Sequence, residues 1–248
     1  MIIIDTQSLF QELSDRVQYT SLLVQSIFPN IPTKAIQYEL LQQGLLETGA
    51  LPLQLDVWDI VKRQLDDLKN LWNGPNTQVA ILPMRKGFMK NGVAYKHGIC
   101  LFISNHVSIK ELHALITHEY HHICRQQYQS ELPTLLDSVL MEGLAEHAVE
   151  SLLGEHAISS WTRRYSLDEV KHYWLTHFIK ALPLRGLHNH QSYLFGDASG
   201  QLPAHIGYCV GYRIVEAFLE KNGPLTTQQL LQLPSEQIAL LAGFPLTE

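Results

Sequence analysis

Cysteine is scarce: Cys100, Cys124 and Cys209 are the only three in 248 residues, and no two form a CxxC pair. They cannot close a disulfide set, so a stapled secreted framework and a cysteine zinc knuckle are both excluded and a reducing, cytoplasmic setting is expected. Long apolar runs are missing too; nothing approaches the ~20 residues of a membrane-spanning helix. The opening MIII meets Asp5 at once with no basic segment before it, which does not fit a signal peptide. Positive charge is in deficit, 18 Lys+Arg against 24 Asp+Glu, so the chain offers no footprint for phosphate backbones and nucleic acid is not an expected partner. With 15 Gly and 11 Pro, collagen-like and linker-rich classes fall away as well. What remains is a composition 46% hydrophobic and 17% charged, enough for a core, and the chain is read as a single compact unit over 1–248. One residue type stands out, histidine, with 13 copies.

Apolar residues recur every three or four positions in SLFQELSDRVQYTSLLVQSIF, TKAIQYELLQQGLLE and VWDIVKRQLDDLKNLW, which predicts a helical N-terminal portion over 1–75. After Asn73-Gly74-Pro75 the period changes. TQVAILPM and, past a turn placed at Lys90-Asn91-Gly92, VAYKHGICLFIS have the Val, Ile and Phe content of strands. Ser108 with Glu111 three residues on predicts a capping box and a helix through IKELHALITHEYHHICRQQ. Further helices are predicted over TLLDSVLMEGLAEHAVESLLG, stopping at Gly154; from Ser166 through DEVKHYWLTHFIKAL; over HIGYCVGYRIVEAFLEK; and after Ser235. RGLHNHQSYLFGDASGQLP is read as irregular. Helices, a small sheet, then helices make an α+β class, with 76–248 as the chemistry-bearing portion.

His118-Glu119-Tyr120-His121-His122 is an HExxH match inside a helical pattern. Residues four apart share a helix face, so His118 and His122 can aim their imidazoles at one ion, while Glu119, one step round, can take a proton from water beside it. Two histidines leave a catalytic zinc one protein ligand short. Nineteen residues, enough for a turn and a returning helix, separate His122 from Glu142, with Glu146 four further on. Glu142 is the candidate third ligand. Glu146 can accept the outer N–H of a ligating histidine, His118 being the candidate. The same pair is also the pattern of a solvated stripe.

HExxH, a gap of nineteen, then Glu with an acidic residue four later resembles the gluzincins, the metallopeptidases typified by thermolysin. More narrowly, ITHEYHH, EGLAEH and GYCVGYRIVEAFL resemble a bacterial family of predicted zinc-dependent proteases, a domain of unknown function, from about Gln78 onward. The resemblance implies a zincin-like fold, a Zn2+ cofactor held by His118, His122 and Glu142, Glu119 as general base, Glu146 behind a ligand, and peptide or protein substrates. Thermolysin's large flanking β domain has no counterpart here, and the N-terminal helices carry no recognised motif. Against peptidase activity stands an idle zincin fold serving as a metal-stabilised binding or regulatory module; a helical interaction protein with a chance motif is the third reading.

Amide hydrolysis also needs a donor for the developing oxyanion. Tyr208 comes first, then Tyr212 and His205, spaced along one predicted helix; the alternative is that Gly207 and Gly211 permit close packing and the tyrosines are core residues. HGICLFIS is either an exposed edge able to pair with an extended peptide or an internal strand. His121 is placed as exposed or behind the ligands, His188 and His190 on a surface loop, and Cys124 as a buried thiol.

Overall fold

The computed structural model describes residues 1–247. The fold is α+β, mostly helical with one four-stranded sheet, and the chain divides into two compact units, Met1–Ile123 and Cys124–Glu248.

The first unit holds the sheet. Strands β1 (Ile2–Ile3), β2 (Gln78–Pro83), β3 (Lys90–Tyr95) and β4 (Gly98–Ile103) lie in the order β1-β2-β4-β3. β1 and β4 flank β2 in parallel, and β3 pairs antiparallel with β4 from Tyr95↔Gly98 to Lys90↔Ile103. The MIII start is therefore a strand. Every residue of β4 is buried, as a continuous apolar run covered on both faces requires. Both of its edges are taken, which rules out the exposed-edge reading of HGICLFIS; β3 is the edge. The turn predicted at Lys90-Asn91-Gly92 is also displaced, because those residues lie inside β3 and the hairpin reverses at Lys96-His97.

Among the helices of this unit, α1 (Arg16–Leu23) is much shorter than the periodicity of 8–28 suggests, preceded by a 3-10 turn at Gln7–Phe10. Buried Arg16 opens α1, and its guanidinium donates to the carbonyls of Gln11 (2.7 Å), in the interrupted stretch, and Leu46 (3.2 Å). α2 (Thr33–Gln42) follows, then α3 (Val57–Trp72), whose Val57, Val61, Leu65, Leu68 and Trp72 form one buried stripe. α4 (Ile109–Arg125) begins with the expected capping box: Glu111 N–H donates to Ser108 Oγ (3.2 Å) and Ser108 N–H to Glu111 Oε2 (2.9 Å). Gln64 of α3 bonds the His113 carbonyl (2.8 Å) and Thr117 Oγ1 (2.9 Å), setting the rotation of α4.

The second unit is built on α5 (Leu135–Leu153) and α8 (Ile206–Asn222). Thr134 and Asp137 form a capping box for α5, which ends at Gly154. Gly143 and Gly211 face one another where α5 and α8 cross, and a Cβ on either would collide with the other helix's backbone. Close packing through Gly211 is thus what the structure shows, and Gly207 likewise abuts the Tyr193 carbonyl. α6 (Leu167–Tyr173), capped by Ser166 and Glu169, runs into a π-helical turn at Trp174–Phe178. The stretch read as irregular contains α7 (Leu187–Phe195). His190, placed on a surface loop by sequence, is instead fully buried: its Nε2–H donates to Leu184 O (2.9 Å) and Nδ1 accepts from Ser138 Oγ (2.8 Å), tying α7 to α5. His188 is exposed. Two short helices, α9 (Thr227–Gln232) and α10 (Ser235–Ala242), are held by buried Arg125, which donates to the carbonyls of Leu231 (2.6 Å) and Leu233 (2.7 Å). No helix among the described residues is long and apolar enough to cross a membrane.

Candidate metal centre

The histidines of the HExxH match lie one turn apart on α4, with ring centroids 4.5 Å apart and planes at 84°. One ligand-capable atom from each of His118, Glu119 and His122 lies within 4.8 Å of the others. Neighbouring ligands of a tetrahedral ion with bonds near 2.0–2.1 Å stand roughly 3.3 Å apart, so two imidazoles and a carboxylate in this span suit a small borderline-soft cation such as zinc. Glu119 and His122 are buried and His118 is half-buried, so the donor atoms are largely shielded from solvent.

β3 lies over this part of α4. Its alternation sends Lys90, Gly92 and Ala94 to one face and Asn91, Val93 and Tyr95 to the other. Lys90 Nζ donates to the Glu111 carbonyl (3.1 Å), and Gly92 sits against the Glu119 side chain. From the opposite face, Asn91 Nδ2 donates to the Gln43 carbonyl (3.1 Å) and Tyr95 Oη to Glu39 Oε1 (2.8 Å). Burial, reinforced by Cys100, Glu39 and the Glu119 charge, pushes the Tyr95 hydroxyl well above its ordinary range, so it stays protonated and donating.

In the second unit Glu142 is half-buried on α5, and Glu146, one turn later, is buried. Ser159 holds both Glu146 oxygens: its N–H donates to Oε2 (2.8 Å) and its hydroxyl to Oε1 (2.9 Å). Tyr208 is half-buried in α8, its ring 4.6 Å from Trp161 and 5.3 Å from Phe195. Tyr212 is fully buried; its hydroxyl donates to Glu150 Oε2 (2.8 Å) and accepts from Arg163 (3.0 Å), and its ring stacks on His147 at 4.4 Å. His205 caps α8 in the left-handed region (φ 59°), its ring 5.9 Å from Tyr208. Burial, with Arg164 nearby, lowers its pKa, favouring the neutral imidazole.

A family profile described as "Predicted Zn-dependent protease (DUF2268)" matches residues 57–240. The chain belongs to this family. The match takes in α3, strands β2 to β4 and His118, Glu119, His122, Glu142, Glu146, His205, Tyr208 and Tyr212, starting earlier than the resemblance from Gln78 suggested. Among curated relatives, the chain is 32% identical over 191 residues to the uncharacterized protein YjaZ of Bacillus subtilis, covering 71% of each chain. It is 27% identical over 150 residues to the uncharacterized protein YjfC of the same organism, covering 56% of this chain and 50% of that one.

Within this family member, three placements escape the sequence. His121, expected to be exposed or behind the ligands, is fully buried with its ring 5.8 Å from Trp72, because α4 is covered on that side by α3. Cys124 is buried, as expected of it. Ser159 lies in a segment without a motif, so nothing marked it. Gly92 did carry a signal, a glycine between strand-forming residues, but Asn-Gly is also the commonest hairpin signature and was assigned to a turn.

Proposed function

We propose that this chain is a zinc-dependent metallopeptidase of the gluzincin type with a zincin-like fold, an endopeptidase acting on peptide or protein substrates in the cytoplasm. The observation that carries the reading is the convergence of His118, Glu119 and His122 donor atoms within 4.8 Å on α4. Membership of a family described as zinc-dependent proteases supports it. His118 and His122 hold the metal, and Glu142 is assigned as third ligand on its spacing from His122. Glu119 is not needed to bind zinc once Glu142 serves, and its presence beside the two histidines favours an enzyme over an idle metal-stabilised module. Zinc, when bound, polarises a carbonyl and lowers the pKa of water toward ~7.

Glu119 performs the proton work: its carboxylate removes a proton from the attacking water and delivers it to the departing amine nitrogen. Shielding from bulk water keeps that proton between carboxylate and substrate. Glu146, clamped by Ser159, orients a ligating histidine by accepting its outer N–H. Tyr208 donates to the oxygen on which charge develops. It ranks ahead of Tyr212, whose hydroxyl proton is engaged by Glu150, and of His205, which the helix cap fixes in place.

Zinc content and peptide hydrolysis of wild type, Glu119→Gln, His118→Ala and Glu142→Ala test this. Glu119→Gln is expected to keep its zinc while losing about 10²–10⁴ in rate. His118→Ala and Glu142→Ala are expected to lose metal and activity. Stoichiometric zinc with no hydrolysis of denatured proteins or a peptide library would refute the peptidase reading. Zinc held by Glu142→Ala as tightly as by wild type would refute the ligand assignment.

A further inference from the structure

Gly92 is the middle residue of an edge strand, paired with Leu101 of β4, and its φ is not in the left-handed region. Backbone conformation therefore does not call for glycine there. Glycine inside a strand lacks a side chain to pack and costs conformational entropy, and its usual reason is that another group must come close. Here that group is Glu119. A Cβ built on Gly92 would stand 2.5 Å from Glu119 Cγ, 2.5 Å from Oε1 and 2.7 Å from Cδ. All three atoms belong to the carboxyl end of one side chain. Lys90, on the same face of β3, donates to the Glu111 carbonyl two turns earlier on α4, a second contact between the same strand and helix.

We infer that Gly92 is a positioning residue for the general base: its missing side chain is the space in which the Glu119 carboxylate is held against β3. This rests on Glu119 being the base. A methyl group at 92 forces the Glu119 side chain into another rotamer. The three heavy atoms nearest the built Cβ are all Glu119's, so the clash falls first on the base and not on a histidine. The loss therefore falls on proton transfer and spares metal binding.

The test compares full-length wild type, Gly92→Ala, Glu119→Ala and the double variant by thermal melting and zinc content, with steady-state peptide hydrolysis for wild type and Gly92→Ala. Gly92→Ala is expected to melt about 3–10 °C below wild type, the scale of an overpacked site. In the Glu119→Ala background, where Cγ, Cδ and Oε1 are gone, the same change is expected to shift melting by less than about 1 °C. Zinc per chain stays at the wild-type value in Gly92→Ala. Its kcat falls about 100-fold or more with KM within about threefold, the signature of a displaced proton carrier instead of a general loss of fold. If Gly92→Ala does not fold, recovery of the fold in the double variant supports the inference and failure to recover overturns it. An equal melting shift in both backgrounds, or unchanged kcat in Gly92→Ala, also overturns it. A wild type without zinc or hydrolysis sinks the peptidase reading, and the positioning role with it, while the melting comparison still reports whether residue 92 clears space for residue 119.

Discussion

Gly211→Ala should separate the helices on which the second unit is built. The added Cβ would land on the Val139 carbonyl oxygen and lie 3.0 Å from the Val139 carbonyl carbon and 3.1 Å from Gly143 N. All are backbone atoms, so no side chain can swing aside; reaching ordinary contacts of roughly 3.5–4.0 Å means moving α8 off α5 by roughly 1.5–2 Å. Val139, Leu140, Leu144, Ile214 and Val215 are all buried in the same core and lose part of their contacts. Overpacking costs about 1–3 kcal/mol, and a clash this close against backbone belongs at the upper end; removing a helical glycine returns about 1 kcal/mol, so a net loss of about 2 kcal/mol is expected. Urea unfolding followed by circular dichroism and tryptophan fluorescence measures it, with Ser151→Ala on the exposed face of α5 as a control expected to be neutral or slightly stabilising. Gly143→Ala should cost a similar amount. The double variant should cost less than the sum, since the helices need part only once. A Gly211→Ala protein as stable as wild type, or more so, would mean that the two helices do not approach this closely.

Ser159→Ala removes one of the two bonds Ser159 makes to the buried Glu146 carboxylate and should destabilise the protein by about 1.5–3 kcal/mol in urea titrations. Zinc retention against a competing chelator should fall with it. His147 gives a pH signature. Burial lowers its pKa, only partly offset by the Tyr212 carbonyl and the charges of Glu150, Glu216 and Glu146. With the folded pKa below the unfolded value near 6.5, the unfolded chain binds the proton first. His147 then contributes stability that is present above pH ~6.5 and lost as pH falls toward the folded pKa. His147→Gln should flatten that part of the stability profile; an unchanged profile would show that His147 does not carry it.

Local patterns in the sequence were a good guide wherever one segment satisfies its own requirements. The Val57–Trp72 stripe, the Ser108/Glu111 capping box, the helix start at Ser166 and the stop at Gly154 all involve groups within a few residues of each other. The same holds for the His118/His122 pair, since helical spacing alone puts residues four apart on one face. Where a distant group decides, pattern reading failed. Arg16, where α1 begins, bonds a carbonyl thirty residues away, and Ser138 and Leu184 bond a buried histidine whose HNH setting suggests a loop. Asn91-Gly92 reads as a turn because Asn-Gly within a strand and Asn-Gly at a hairpin tip are identical in sequence.

By itself, then, the sequence determined the α+β class, the shared helix face of His118 and His122 on α4 and the carboxylate proposed for proton transfer, because these follow from helical and strand periods and from side-chain chemistry. Which strand lies inside the sheet and which lies at its edge, what supports Glu146, and why no side chain can stand beside Glu119 were decided only by tertiary structure. Those are questions of which distant backbone or side chain occupies a given few ångströms. No local period encodes that.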